Sequence, residues 1–224
     1  KLSGGYDLLI SFIIKDSNDL KNYFDSLNSN FSDFIEKKEL ITRLYEIKHE
    51  YEILFGKRKE YKQVKNTNLT SYSLDKIDKK ILSYLGENAN ISTVDLANKL
   101  NLSSPAIIYR LKNLKEKDII LNYIAVINIC KLEKQFYYIF FNIDLNKDKE
   151  NIVKNILNEN ESIIFAEQNA GNQSYMCLIV ANNNTDFNSI LQGLKNQILS
   201  MNNLDSISLL NIIYQNYCPV NFFN

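Results

Sequence analysis

The sequence of 224 residues predicts an α+β fold. A small three-helix unit with an extended tail is flanked by a partial and a complete ferredoxin-like (βαββαβ) domain. Three observations carry this expectation. Between Ser73 and Leu114, apolar residues recur at helical spacing in three short runs, each preceded by a capping residue. From Phe136 onward the pattern runs strand, helix, strand, strand, helix, strand. The segment that begins at Gly4 repeats the second half of that plan.

The N-terminal segment reads β–α–β. Tyr6 to Ile14, "YDLLISFII", is an apolar run of strand length. Ser17 or Asp19 then caps a helix whose apolar residues are Leu20, Tyr23, Phe24, Leu27 and Phe31. Ile41, Leu44 and Tyr45 mark one or two further strands. "GGYDLLISFIIKDSNDL" lines up with "GNQSYMCLIVANNNTDF", and in both a glycine turn is followed by a strand, a polar cap and a helix. A lone β–α–β leaves sheet edges unpaired and closes no core. Residues 1–55 are therefore expected to be a partial domain (third strand, second helix, fourth strand), with its first strand–helix–strand supplied from before Lys1.

Residues 73–130 hold the three helices. Ser73 opens the first, with Asp75, Lys76 and Asp78 in its early turns. Its inner face is Ile77, Ile81, Leu82 and Leu85, ending near Gly86. Ser92 caps the second, with Asp95 three residues on as a short capping box, and Leu96, Ala97 and Leu100 inward. Asn101-Leu102 form a tight turn. Ser103 caps the third, and Pro105 sits in its first turn, where a missing N–H costs nothing. Ile107, Leu111 and Leu114 face inward. Ser104, Ile108, Tyr109 and Lys112 point the other way, with Arg110 and Asn113 on the flank. Ile119 to Ile129 is extended and apolar, so the whole reads as a winged helix-turn-helix. An oily inner side and a polar outer side suit a helix that reads a major groove, with Ser103 and the free N–H groups at its start binding phosphate. An ordinary surface helix is the competing reading. Residues 56–72, with Lys57, Arg58, Lys59, Lys62 and Lys65, form a basic linker, either a solvated connector or a DNA-contacting arm.

In residues 131–224, Phe136–Leu145, Ile163–Asn169, Tyr175–Ala181 and Leu204–Tyr217 are strands, and Lys149–Glu159 and Asp186–Ser200 are helices. The two middle strands pair around "AGNQS". Formal net charge is zero, which argues against a general basic coat but leaves room for a local basic patch. Three widely spaced cysteines without Cys-x-x-Cys point away from disulfides and zinc, and toward a reducing cytoplasm. His49 is the one histidine, so histidine-based metal or nucleophile chemistry has a single candidate in a charged stretch. No apolar run is long enough to span a membrane. No cofactor is expected.

These residues resemble the leucine-responsive and asparagine regulators, the Lrp/AsnC family. Asp75, Asp78, Ile81 and Leu82 match its Asp-x-x-Asp-x-x-Ile-Leu opening. Leu102, Ser103, Ile107, Arg110, Leu111 and Leu114 match its recognition helix, Leu-Ser-x-x-x-Val-x-x-Arg-Ile-x-x-Leu. The stretch from Asp118 to Ala125 follows its Gly-Val-Ile-x-Gly-Tyr-x-Ala, with Asp118 and Asn122 in place of the glycines. Asp and Asn tolerate left-handed backbone best after glycine, so the turns survive. The βαββαβ segment is similar to the family's ligand-binding and dimerisation domain, called RAM.

The resemblance implies a sequence-specific, non-enzymatic transcriptional regulator that binds double-stranded DNA through Ser103, Ser104, Pro105, Ile108, Tyr109, Arg110, Lys112 and Asn113. It also implies RAM–RAM self-association, within or between chains, and an amino acid or related small-molecule effector. The effector turn is Gly-x-Tyr-Asp, which places Gly4, Gly5, Tyr6 and Asp7 in the first copy and Gly171, Asn172, Gln173 and Ser174 in the second. Asp7 would pair an ammonium group, and Ser174 replaces that acid. Glycines serving only a hairpin turn are the simpler reading. Two other functions compete: a RAM-based oligomerising or sensing module without DNA binding, and a siroheme-decarboxylase-like enzyme, which the single histidine disfavours.

Overall fold

The computed structural model describes residues 2–14, 16–50, 73–121, 123, 128–143 and 147–212. In chain order the elements are β1 (Leu2–Ser3), α1 (Ser17–Phe31), β2 (Thr42–His49), α2 (Lys76–Glu87), α3 (Thr93–Leu100), α4 (Ser104–Glu116), β3 (Gln135–Ile143), α5 (Lys147–Glu159), β4 (Ile163–Ala170), β5 (Tyr175–Ala181), α6 (Asn184–Gln197) and β6 (Met201–Leu209). They form two units: a helical one built on α2–α4, and a sheet unit that combines the N-terminal and C-terminal segments.

The helical unit closes on Ile81, Leu96, Ile107 and Leu114, all essentially without solvent contact. Each such side chain contributes about 1.5–3 kcal/mol over leaving it exposed. Asp75, Ser92 and Ser103 cap the three helices with their side-chain oxygens. The helix expected to open at Ser73 starts at Lys76, capped by Asp75, whose carboxylate accepts from both Ile77 and Asp78 N–H. Asn101 ends α3 in the left-handed region at φ 53°. The Leu102 N–H then donates back to the Ala97 carbonyl at 2.9 Å, which fixes the turn into α4.

The sheet unit has one antiparallel six-stranded sheet in the order β1-β6-β3-β5-β4-β2. Its inner four strands with α5 and α6 make the ferredoxin-like plan. Alternation along β3 and β5 sends Ile139, Phe141, Cys177 and Ile179 to one face. There they meet Val153 and Leu157 of α5 and Phe187, Leu191 and Leu194 of α6. The opposite, helix-free face presents Phe140, Met176 and Ile207, against which Leu2, Tyr6, Leu9 and Ile41 pack. On the same face β2 brings Arg43 to Glu167, with Nε 2.6 Å from the buried carboxylate. Burial, the largest influence, pushes the Glu167 carboxyl up despite that partner.

Several expectations change. Residues 1–55 were expected as a separate partial domain, but the described residues 2–50 extend the C-terminal sheet instead: β1 pairs with β6, and β2 pairs with β4. The open edges of β6 and β4 offer the pairing that a lone β–α–β lacks. Tyr6–Ile14 is not a strand; residues 8–14 join no ladder, and Tyr6 and Leu9 instead pack onto the sheet face. The α1 cap is Asp16, not Ser17 or Asp19; its Oδ1 accepts from Asp19 N–H at 2.9 Å. A short 3₁₀ turn, Ile129–Lys131, belongs to the sheet unit, so the helical unit ends before residue 128 and not at 130. The basic linker, most of the expected wing and the end of the last expected strand lie outside the described residues.

The aligned halves share local geometry. Gly4 and Gly171 both have positive φ, +141° and +129°. Asp16 and Asn183 both cap by accepting from the N–H three residues on, each at 2.9 Å.

Candidate DNA-binding interface

Helix α4 is held by its inner side and open on its outer side. Ile107 and Leu114 are buried, and Leu111 packs beside them. Away from that inner side, Ile108 and Tyr109 are 54% and 66% exposed, an apolar and aromatic area on the outer surface of the helix. Lys112 is exposed as well and, among the described residues, pairs with Glu116 at 3.7 Å, which is a weak surface pair. Ser103 and Pro105 are exposed at the N-terminus, and Ser104 is half-buried. The Ser103 hydroxyl accepts from Ala106 N–H at a long 3.4 Å, so it competes poorly with an incoming anion. Asn113 is half-buried, and its carbonyl accepts from Lys117 N–H.

Arg110 is placed differently from the sequence expectation. Its Nη1 donates to Asp75 at 2.6 Å and to Asp78 at 2.7 Å. Asp78 is buried, so this pair ties α4 to the start of α2 inside the unit. The Asp78 N–H, and after it the Arg110 guanidinium, hold the Asp75 carboxyl below the usual aspartate range. Both carboxylates raise the guanidinium in return. The charge of Arg110 is therefore spent within the helical unit. The sequence carries the signal for this contact: Asp75 and Asp78 stand three apart on one helix face.

The two glycine turns reach consecutive residues of β6. Gly4 lies against Ser206 and Ile207, and the Gln173 side chain donates to Asp205 at 3.3 Å. The Tyr6 hydroxyl accepts from Lys37 at 3.3 Å, while Asp7 is exposed and its carbonyl accepts from Leu2 N–H. In the second turn the Ser174 N–H and hydroxyl both donate to Asn142 Oδ1, at 2.7 and 2.8 Å, and Asn142 donates back to the Asn172 carbonyl. A Cβ on Gly171 would sit 3.0 Å from the Leu40 carbonyl oxygen. Asn169, which the sequence reading passed over, is buried near this hairpin, and its side-chain amide completes no hydrogen bond of normal geometry.

Residues 74–120 match the family described as winged helix-turn-helix DNA-binding. A stretch of 56 residues is 41% identical to the leucine-responsive regulatory protein of Haemophilus influenzae, covering 25% of this chain and 34% of that protein. The fold is similar to a transcriptional regulator from Neisseria meningitidis solved with L-Met, at TM-score 0.61 and 21% identity over 68% of this chain and 100% of that one. It is also similar to Escherichia coli AsnC, at TM-score 0.56 and 18% identity over 64% and 97%. The helical unit is thus similar in sequence to a leucine-responsive regulator, and the fold is similar to regulators of the Lrp/AsnC type. The Lrp/AsnC pattern has glycine where this chain has Asp118, and Asp118 adopts the left-handed conformation at φ 53°. The helix α4 that the Lrp/AsnC resemblance singled out keeps Ile108, Tyr109 and Lys112 outward, whereas Arg110 turns inward.

Proposed function

We propose that this chain is a sequence-specific DNA-binding transcriptional regulator whose helix α4 enters the major groove. The observation that carries the reading is the outer surface of α4, where Ile108, Tyr109 and Lys112 are exposed on a helix pinned from behind by Arg110, Asp75 and Asp78. Ser103, Ser104 and Pro105 start the helix, where free N–H groups meet a phosphate. Tyr109 and Ile108 face base edges and thymine methyls, and Lys112 and Asn113 the backbone. Arg110 acts through position, not by touching DNA. Selection of bound fragments from sheared genomic DNA tests the reading. It predicts enrichment of a common motif, and loss of that enrichment in Tyr109→Ala.

The sheet unit serves pairing and sensing in this reading. The N-terminal segment widens the RAM-type sheet at both edges, through β1 on β6 and β2 on β4, and its Tyr6 and Leu9 meet the opposite face through Phe140, Met176 and Ile207. Self-association through the RAM-type unit, within or between chains, is the pairing this reading expects. The effector is an amino acid or a related small molecule, taken up beside the two glycine turns. The buried amide of Asn169 beside Glu167 gives that region a polar side chain, and the Neisseria meningitidis regulator was solved with L-Met. Calorimetry against the common amino acids tests this part. Binding that disappears in Asn169→Leu agrees with it, and no binding to the parent protein contradicts it.

A further inference from the structure

The outer surface of α4 lacks the side chains that read most bases. A helix lying in a major groove contacts base edges with the residues of its N-terminal turns. In α4 those are Ser104, Pro105, Ala106, Ile107, Ile108 and Tyr109, with no charged and no amide side chain among them. Ile107 is buried in the helical unit, whereas Pro105, Ile108 and Tyr109 are exposed. The groove therefore meets the hydroxyls of Ser104 and Tyr109 and a broad hydrocarbon surface.

The polar side chains farther along the helix are committed elsewhere. Arg110 is held by Asp75 and Asp78 at 2.6 and 2.7 Å, which withdraws its guanidinium from the groove. The Lys115 ammonium lies 4.9 Å from the centre of the Tyr123 ring. Asn113 is half-buried on the flank, and Lys112 is assigned with it to the DNA backbone. Guanine is read by bidentate bonds from arginine or lysine to O6 and N7, and adenine by asparagine or glutamine at N6 and N7. A hydroxyl both donates and accepts, so it suits more than one base. An apolar surface distinguishes one feature of the major groove, the C5 methyl group that thymine carries and cytosine lacks.

We propose that α4 selects its DNA by thymine C5 methyl groups, with Ile108 and the Tyr109 ring as the specificity-determining residues and no direct reading of guanine by this helix. This selection rests on α4 entering the major groove, as proposed for the chain's function, and names what the helix recognises there. Ile108 and Tyr109 are adjacent and both more than half exposed, so each offers its own contact area to a methyl group. Each methyl removed from water contributes about fourfold in affinity. The contact carries no charge, so it adds nothing to the salt dependence, unlike the phosphate contact of Lys112.

Equilibrium binding to a genomically selected fragment, and to the same fragment synthesised with uracil in place of every thymine, tests the proposal, because uracil lacks only the C5 methyl. The parent protein should bind the uracil form about tenfold or more weakly, the loss expected for two methyl contacts. Ile108→Ala combined with Tyr109→Ala should bind both forms alike; both side chains are exposed, so the core of the helical unit is kept. Lys112→Ala should weaken both forms and preserve the difference between them. A third form carrying 7-deazaguanine, which lacks the N7 acceptor, should bind the parent as ordinary DNA does. A preference for the selected fragment over a scrambled one, with no loss in uracil, overturns this proposal and leaves α4 as a DNA reader of another kind. So does a uracil loss that persists in the double variant, or a loss with 7-deazaguanine. No preference for the selected fragment in ordinary DNA defeats the reading of α4 itself, and this proposal with it.

Discussion

Arg110 on α4 bonds at 2.7 Å to the buried carboxylate of Asp78 on α2, and at 2.6 Å to Asp75, which caps that helix. One guanidinium thus joins α4 to the start of α2. Arg110→Ala would leave Asp78 buried without its cation. The expected cost is about 1–3 kcal/mol of stability in the helical unit. Because Arg110 neutralises its own chain, the slope of log Kd against log salt should not change. Denaturation together with a salt series measures both. A slope that falls by about one would show that Arg110 contacts phosphate after all.

Lys112 and Tyr109 should separate affinity from specificity. Lys112→Ala should weaken binding to every DNA sequence alike and reduce the salt slope by about 0.9, because one phosphate contact is lost. Tyr109→Ala should keep the slope and shift the preference between sites by about 1–3 kcal/mol for a lost base contact. Competition binding with two unrelated DNA sites reads both effects.

Glu167 gives the sheet unit a pH dependence of definite sign. Burial raises its carboxyl above the ordinary glutamate value. The folded form therefore holds the proton more tightly than the unfolded chain does. Its contribution is full below the unfolded pKa and is lost as pH rises through the raised folded value. Glu167→Gln should be more stable than the parent at neutral pH, with a flatter stability profile in the mildly acidic range. Thermal denaturation from pH 4 to pH 8, on the order of one scan per pH unit, would show it.

The glycines of the two turns should differ in tolerance. Gly171 has φ +129°, and an added Cβ would lie 3.0 Å from the Leu40 carbonyl oxygen. Gly171→Ala should cost about 1–3 kcal/mol from backbone strain. Gly5 has nothing within 4 Å of an added Cβ, so Gly5→Ala should leave the melting temperature almost unchanged.

The helical unit was legible because its signals are local. Caps at Ser92 and Ser103, the left-handed Asn101 and the Ile107–Leu114 stripe each lie within a few residues of what they determine. The complete βαββαβ segment was legible for the same reason, with the first three strand bounds off by at most two residues, whereas the last strand runs Met201–Leu209 in place of the expected Leu204–Tyr217. The N-terminal segment was not. The apolar run Tyr6–Ile14 was read as a strand, but a strand needs neighbours, and pairing partners are not encoded in the run itself. Arg110 misled for a related reason. Its charge is visible in sequence, but its engagement by Asp75 and Asp78 is a contact across helices. Asn169 gave no warning at all, since nothing in "EQNAG" marks that amide as buried.

The central claim is that α4 reads DNA sequence. The most direct measurement is equilibrium binding of the parent protein and Tyr109→Ala to a genomically selected fragment and to a scrambled fragment of equal length, at one fixed salt concentration. The account predicts that the parent prefers the selected fragment by about 1000-fold or more and that Tyr109→Ala gives up at least about tenfold of that preference. Equal affinity of the parent for both fragments would contradict it, and so would a preference that Tyr109→Ala leaves intact.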